Sequence, residues 1–161
     1  MPEQRSATME ASQRETSQPE TSARYFDPLR PARYLLLTTF RHDGIPVSAH
    51  VHGVVDGDRA YFRAWPQSGT AQRLRQTEEV QVTPCPIPGL TVGPPLDAVA
   101  RRLSGQEADR AARKLARKYP LQQRFLIPLL HRARRRQLAH YELLTYEAAA
   151  SQDVHPEPSL R

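Results

Sequence analysis

The most regular stretch of the chain runs from Arg33 to Phe62. Arg33–Phe40 (RYLLLTTF) is a β-prone run, and Asp43-Gly44 after it offers the positive backbone dihedrals of a tight turn. From Val47 to Val55 the pattern alternates. Val47, Ala49, Val51, Gly53 and Val55 face one way, and Ser48, His50 and His52 face the other. Strict period two over this length predicts a half-buried strand. Asp56-Gly57 is a second hairpin signal, and Ala60–Trp65 (AYFRAW) reads as a third strand. The three form an antiparallel meander.

Further on the pattern changes period. Ser68 is a good N-cap for a brief helix through Gln76, with Ala71 and Leu74 on one side. Val80–Cys85 predicts a fourth strand and Leu90–Leu103 a fifth, interrupted or preceded by a turn at Pro94-Pro95. Ser104 and Glu107 have the spacing of a capping box, ahead of Ala108, Ala111, Ala112, Leu115 and Tyr119 at helical intervals. Acids stand at the start of that helix and bases at its end, and Pro120 stops it. Residues 121–136 read as a second helix kinked near Pro128, and Leu138–Tyr146 as the closing strand. Six strands in mostly hairpin order predict an α+β domain built on a six-stranded antiparallel barrel with peripheral helices.

Composition trims the ends of this unit. Residues 1–23 contain no Leu, Val, Ile or aromatic side chain, so residues 1–25 are expected to be a disordered tail. The folded domain is then 26–146, and 147–161 a flexible C-terminal tail. With Cys85 as the one cysteine no internal disulfide can form, which fits a reducing compartment. No apolar run is long enough for a membrane span or a signal peptide, and a cytoplasmic protein is expected. The net charge of +6, almost all from arginine, suits an anionic partner.

Three constellations could carry chemistry. At the corner Trp65–Arg75 (WPQSGTAQRLR), Ser68, Gly69, Thr70 and Arg73 combine helix-start amides, hydroxyls and a guanidinium, which suits a phosphate. The bland alternative is an ordinary cap with a solvated arginine. His50-x-His52 projects two imidazoles to one side of a strand, but no third ligand stands at metal-binding spacing, so no metal is expected. The cluster Arg132, Arg134, Arg135 and Arg136 is a solvated face or a polyanion contact. No nucleic-acid module accompanies it, so nucleic acid is not an expected partner.

Together, YLLLTTFRHDG at 34–44, Pro46-Val47 with its hairpin, Ser68-Gly69, Arg73-Leu74-Arg75, Val80–Cys85 and Ala-Arg-Lys-Tyr at 116–119 resemble a known superfamily. It is the pyridoxamine 5′-phosphate oxidase-like superfamily, in its actinobacterial branch of oxidoreductases that use the deazaflavin coenzyme F420. The resemblance implies an FMN-binding type of split β-barrel, a homodimer with cofactor sites at the subunit interface, and hydride transfer to a small organic substrate. F420 is the implied cofactor and FMN the alternative. The implied site has the cofactor phosphate against Ser68, Gly69 and Thr70, with Ala49, His50, Val51, Ala64 and Trp65 along the ring and its side chain. Arg73 stands beside them. His50 or His52 is a candidate proton donor near the ring; no other catalytic residue is indicated. Two departures stand out. Thr70 and Gln72 occupy positions where that family has basic residues, and Ala49-His50-Val51-His52 replaces its Thr-Pro-Val-Trp. A non-catalytic barrel that binds FMN, haem or another ligand is the alternative function.

Overall fold

The computed structural model describes residues 24–120 and 138–152. Seven strands form one antiparallel sheet: β1 (Tyr34–Phe40), β2 (Pro46–Val51), β3 (Gly53–Asp56), β4 (Arg59–Ala64), β5 (Glu79–Cys85), β6 (Leu96–Arg102) and β7 (Ala139–Leu144). Their order is β2-β1-β5-β6-β7-β4-β3. The two terminal strands of that order, β2 and β3, are separated in the chain by His52 alone. The sheet therefore curls until its ends meet, and the result is a split barrel.

The expected strand Val47–Val55 is thus two strands, and the count is seven rather than six. Its first half pairs with β1, Leu35 opposite Val51, and its second with β4, Gly53 opposite Phe62. Gly53 sits at the break because nothing larger fits: a Cβ there would lie 2.2 Å from Leu35 Cδ1 and 3.3 Å from the Tyr61 carbonyl. Both hairpin glycines adopt positive φ, 82° at Gly44 and 62° at Gly57, as their turns require.

The inward row is apolar. Leu35 and Leu37 of β1, Val51 of β2, Phe62 of β4, Val80 and Val82 of β5, Ala98 and Ala100 of β6, and Tyr141 and Leu143 of β7 form one core. Phe62 and Tyr141 stack with ring centroids 4.9 Å apart, and alanines on β6 leave them room. Phe26 and Leu29, just before β1, are fully buried and join this core.

Two helices of the sequence-based expectation are present, α1 (Gly69–Leu74) and α2 (Gly105–Lys118). Ser104 caps α2 by position but makes no side-chain cap bond. The capping box does not form because Glu107 turns instead to Arg101, at 3.2 Å. Arg101 also grips Glu142, a carboxylate only 2% exposed, at 2.8 Å, and Arg59 holds its other oxygen at 2.5 Å. Lys114 pairs with Asp56 and lies over the Tyr61 ring, so α2 is clamped to the outside of β3 and β4. The strand expected over Leu90–Leu103 is β6, which starts at Leu96 and not at Leu90. Residues 86–95 form a loop with positive φ at Gly89 and Gly93, and Pro94 and Pro95 have no N–H to give a ladder. After β7 a short helix, α3 (Tyr146–Gln152), starts where Thr145 Oγ1 accepts the Ala148 N–H. The expected helix 121–136, the arginines 132–136, the stretch 1–23 and residues 153–161 lie outside the described residues.

Candidate functional site

The barrel splits where β2 leaves its neighbour. Between Pro46 and Val51 this strand pairs with β1 only, so alternate backbone N–H and C=O groups point away from the sheet. Ala49 and Val51 turn inward and His50 outward. Across the split, β4 ends at Ala64 and the chain passes through Trp65, half exposed at 49%, into the corner before α1. Of the residues singled out in the sequence, Ser68, Gly69, Thr70 and Arg73 share this corner, while Ala49, His50 and Val51 line the open strand.

Ser68 caps α1. Its Oγ accepts the Ala71 N–H at 3.2 Å and donates to the Trp65 carbonyl at 2.7 Å, so its proton is already engaged. Thr70 is buried, 6% exposed, on the side of α1 that holds Ala71 and Leu74. The side chains further along α1 tie down the preceding loop. Arg75 Nη2 donates to the Pro66 carbonyl at 2.9 Å, and Gln72 Nε2 to the Gln67 carbonyl at 3.4 Å. Arg73 turns to the barrel instead, its Nε donating to Thr39 Oγ1 at 2.7 Å. At the same end of the barrel an open cavity of about 530 Å³ is lined by Phe40, Arg41, His42, Gly44, Gln76, Thr77 and Glu79.

The two histidines lie in different surroundings. His50 Nε2 accepts the Gly89 N–H at 3.4 Å, pinning the 86–95 loop over β2. His52 lies between Tyr34 and Tyr119, with ring centroids at 5.3 and 4.7 Å, and its buried Nε2 has no hydrogen-bond partner. Burial, and then the charge of Arg63, lower its pKa from the usual histidine value. Among the described residues no group of three or more His, Cys, Asp or Glu is placed to hold a metal ion. Among the same residues no helix is long and apolar enough to cross a membrane.

Thr39 escaped the sequence reading. It occupies an inward position in register with Leu35 and Leu37, 1% exposed, and a polar residue ending an apolar face was the one available signal.

No family model and no curated protein sequence matches the chain. Solved structures do. A pyridoxamine 5′-phosphate oxidase-like protein from Listeria innocua is similar with TM-score 0.55 and 12% identity, over 78% of this chain and 93% of that one. A haem-binding protein from Mycobacterium smegmatis gives TM-score 0.57 and 14% identity, over 78% of this chain and 51% of its own. The fold is therefore the split β-barrel of pyridoxamine 5′-phosphate oxidase-like proteins. An F420 reductase shares it at TM-score 0.50 and 17% identity, covering 74% of this chain and 91% of the reductase.

Proposed function

We propose that the protein is an oxidoreductase using coenzyme F420, with FMN as the alternative cofactor, that reduces a small organic acceptor and works as a homodimer in the cytoplasm. The observation that carries this reading is the corner at Gly69 and Arg73. There a guanidinium, bonded to Thr39 through Nε, stands against Gly69 at the start of α1, in a fold shared with an F420 reductase. The donor set fits an anionic cofactor: a guanidinium is a permanent cation with a planar fork of N–H groups.

Bound at this corner, the reduced deazaflavin would supply a hydride, and the acceptor would take up a proton to complete a two-electron reduction. Arg73 would neutralise the phosphate, and Ser68, locked by its two bonds, would hold the corner's shape. Ala49 and Ala64, both only partly buried, would offer small apolar side chains to a flat ring, with Val51 behind them in the core. The homodimer is what the resemblance of the sequence implies; Ile87, Leu90 and Val92 are half-exposed apolar side chains on the 86–95 loop.

Trp65 is the single tryptophan and stands beside the corner, so its fluorescence reports binding. Saturable quenching by F420 or FMN is expected; absence of saturable quenching by both overturns the reading. The haem-binding neighbour favours a second reading, a non-catalytic barrel that holds haem or FMN. A haem absorbance band in freshly purified protein, with no F420-dependent turnover, would select it.

A further inference from the structure

Thr39, Gly69 and Arg73 form a unit that is far apart in sequence and tight in space. Thr39 is fully enclosed, and its hydroxyl is used twice: it donates to the Val47 carbonyl at 3.2 Å and accepts from Arg73 Nε at 2.7 Å. A hydroxyl whose proton is committed to a carbonyl presents only its lone pair, so it orients the guanidinium by one defined bond. The other side of Arg73 lies against Gly69. A Cβ at that position would be 2.8 Å from Nη1, 3.6 Å from Cζ and 3.7 Å from Nη2. Gly69 has no positive φ, so what a side chain there would disturb is the position of Arg73 and not the backbone conformation.

The consequence lies in which nitrogens are left over. Thr39 takes Nε, and among the described residues neither Nη1 nor Nη2 of Arg73 has a hydrogen-bond partner. The neighbouring long side chains differ, since Arg75 and Gln72 spend their terminal nitrogens on loop carbonyls. Arg73 also stands one helical turn after Thr70, whose own side chain is buried. We infer that Arg73 supplies the charge for the cofactor's phosphate end-on, through Nη1 and Nη2, and that Thr39 is the positioning residue that sets this orientation. The inference rests on the proposal that the corner holds a phosphorylated flavin-type cofactor. It adds which nitrogens of Arg73 meet the phosphate and what aims them.

The test compares FMN with riboflavin, and F420 with its chromophore lacking the phosphate-bearing side chain, by Trp65 quenching. Wild-type protein should prefer each phosphorylated ligand by about ten- to a hundredfold, the usual effect of one charge-assisted hydrogen-bond pair. Thr39→Val keeps the side-chain volume and removes the hydroxyl; it should erode that preference about three- to tenfold and leave riboflavin binding unchanged. Arg73→Gln should abolish the preference. Gly69→Ala changes an exposed position, presses on Nη1 and should act like Thr39→Val, which covers the case in which the buried substitution fails to fold. Wild-type protein that binds neither phosphorylated ligand overturns the cofactor proposal and this inference together. A wild-type preference that survives all three substitutions overturns the inference and leaves the proposal standing. An equal loss of phosphorylated and unphosphorylated ligands in Thr39→Val and Gly69→Ala means a merely structural role, and also overturns it.

Discussion

Replacing Glu142 by glutamine removes one negative charge from a place where two positive charges converge. The carboxylate is 2% exposed, with Arg59 at 2.5 Å and Arg101 at 2.8 Å. Deleting one member of a buried ion pair typically costs about 3–5 kcal/mol, because the partner is left buried and uncompensated. Here the partners escape part of that cost. Arg59 and Arg101 are 36% and 35% exposed, and Arg101 keeps Glu107 at 3.2 Å, so both recover solvation. The amide nevertheless presents N–H groups to one guanidinium. A loss of about 2–3 kcal/mol follows, below the full buried range. For a domain of this size that lowers the melting temperature by roughly 6–15 °C. Thermal unfolding followed by circular dichroism at neutral pH measures it, and Glu142→Ala should fall at least as far. Because the carboxylate is enclosed, the wild-type midpoint should move little between low and high salt. A glutamine variant that melts within a degree of wild type would refute the argument. So would a salt effect on wild type as large as the mutation's.

Gly53→Ala should destabilise by about 1–3 kcal/mol, read as a shifted urea midpoint, because its Cβ meets Leu35 at 2.2 Å inside a packed wall. Burial, then Arg63, lowers the pKa of both His52 and His140. The unfolded chain then takes up protons first, so stability is full above about pH 6.5 and declines as pH falls through that value. His52→Phe should flatten part of that slope in melting curves collected from pH 8 to 5; an unchanged slope contradicts it. Thr70→Lys would seem to restore a missing cation, yet position 70 is enclosed. No gain in FMN affinity and a lower melting temperature are expected, and tighter binding would show that the new ammonium reaches the ligand.

Much of the barrel was legible because its signals are local. Asp43-Gly44 and Asp56-Gly57 carry their turn chemistry in two residues, and the alternation from Val47 onward puts Ala49 and Val51 on the face opposite His50 without reference to anything distant. What failed depended on remote partners. The break at His52 comes from a change of partner, β1 before it and β4 after it. The capping box lost to Arg101, which is pulled to its place by a carboxylate on β7. The site divided in the same way. The corner at Ser68 and Gly69 was visible as a motif, but the bond from Arg73 to Thr39 spans 34 positions and no spacing rule announces it. The burial of Thr70 was equally hidden, since a short polar helix does not declare which flank faces the sheet.

The position of β7 in the strand order has a consequence for how the chain comes together. It is the last strand in sequence, yet it lies between β6 and β4. Before it arrives, the earlier strands can make only two separate ribbons, β2-β1-β5-β6 and β4-β3, each with a raw edge. A nascent chain therefore carries two sticky borders through most of its synthesis, and one late insertion seals both. Pairings such as Ala60 with Leu143 also join distant parts of the chain, which makes that insertion slow. The interval before it is when another chain's strand could occupy the slot. In this barrel the last strand made is the one that closes the sheet.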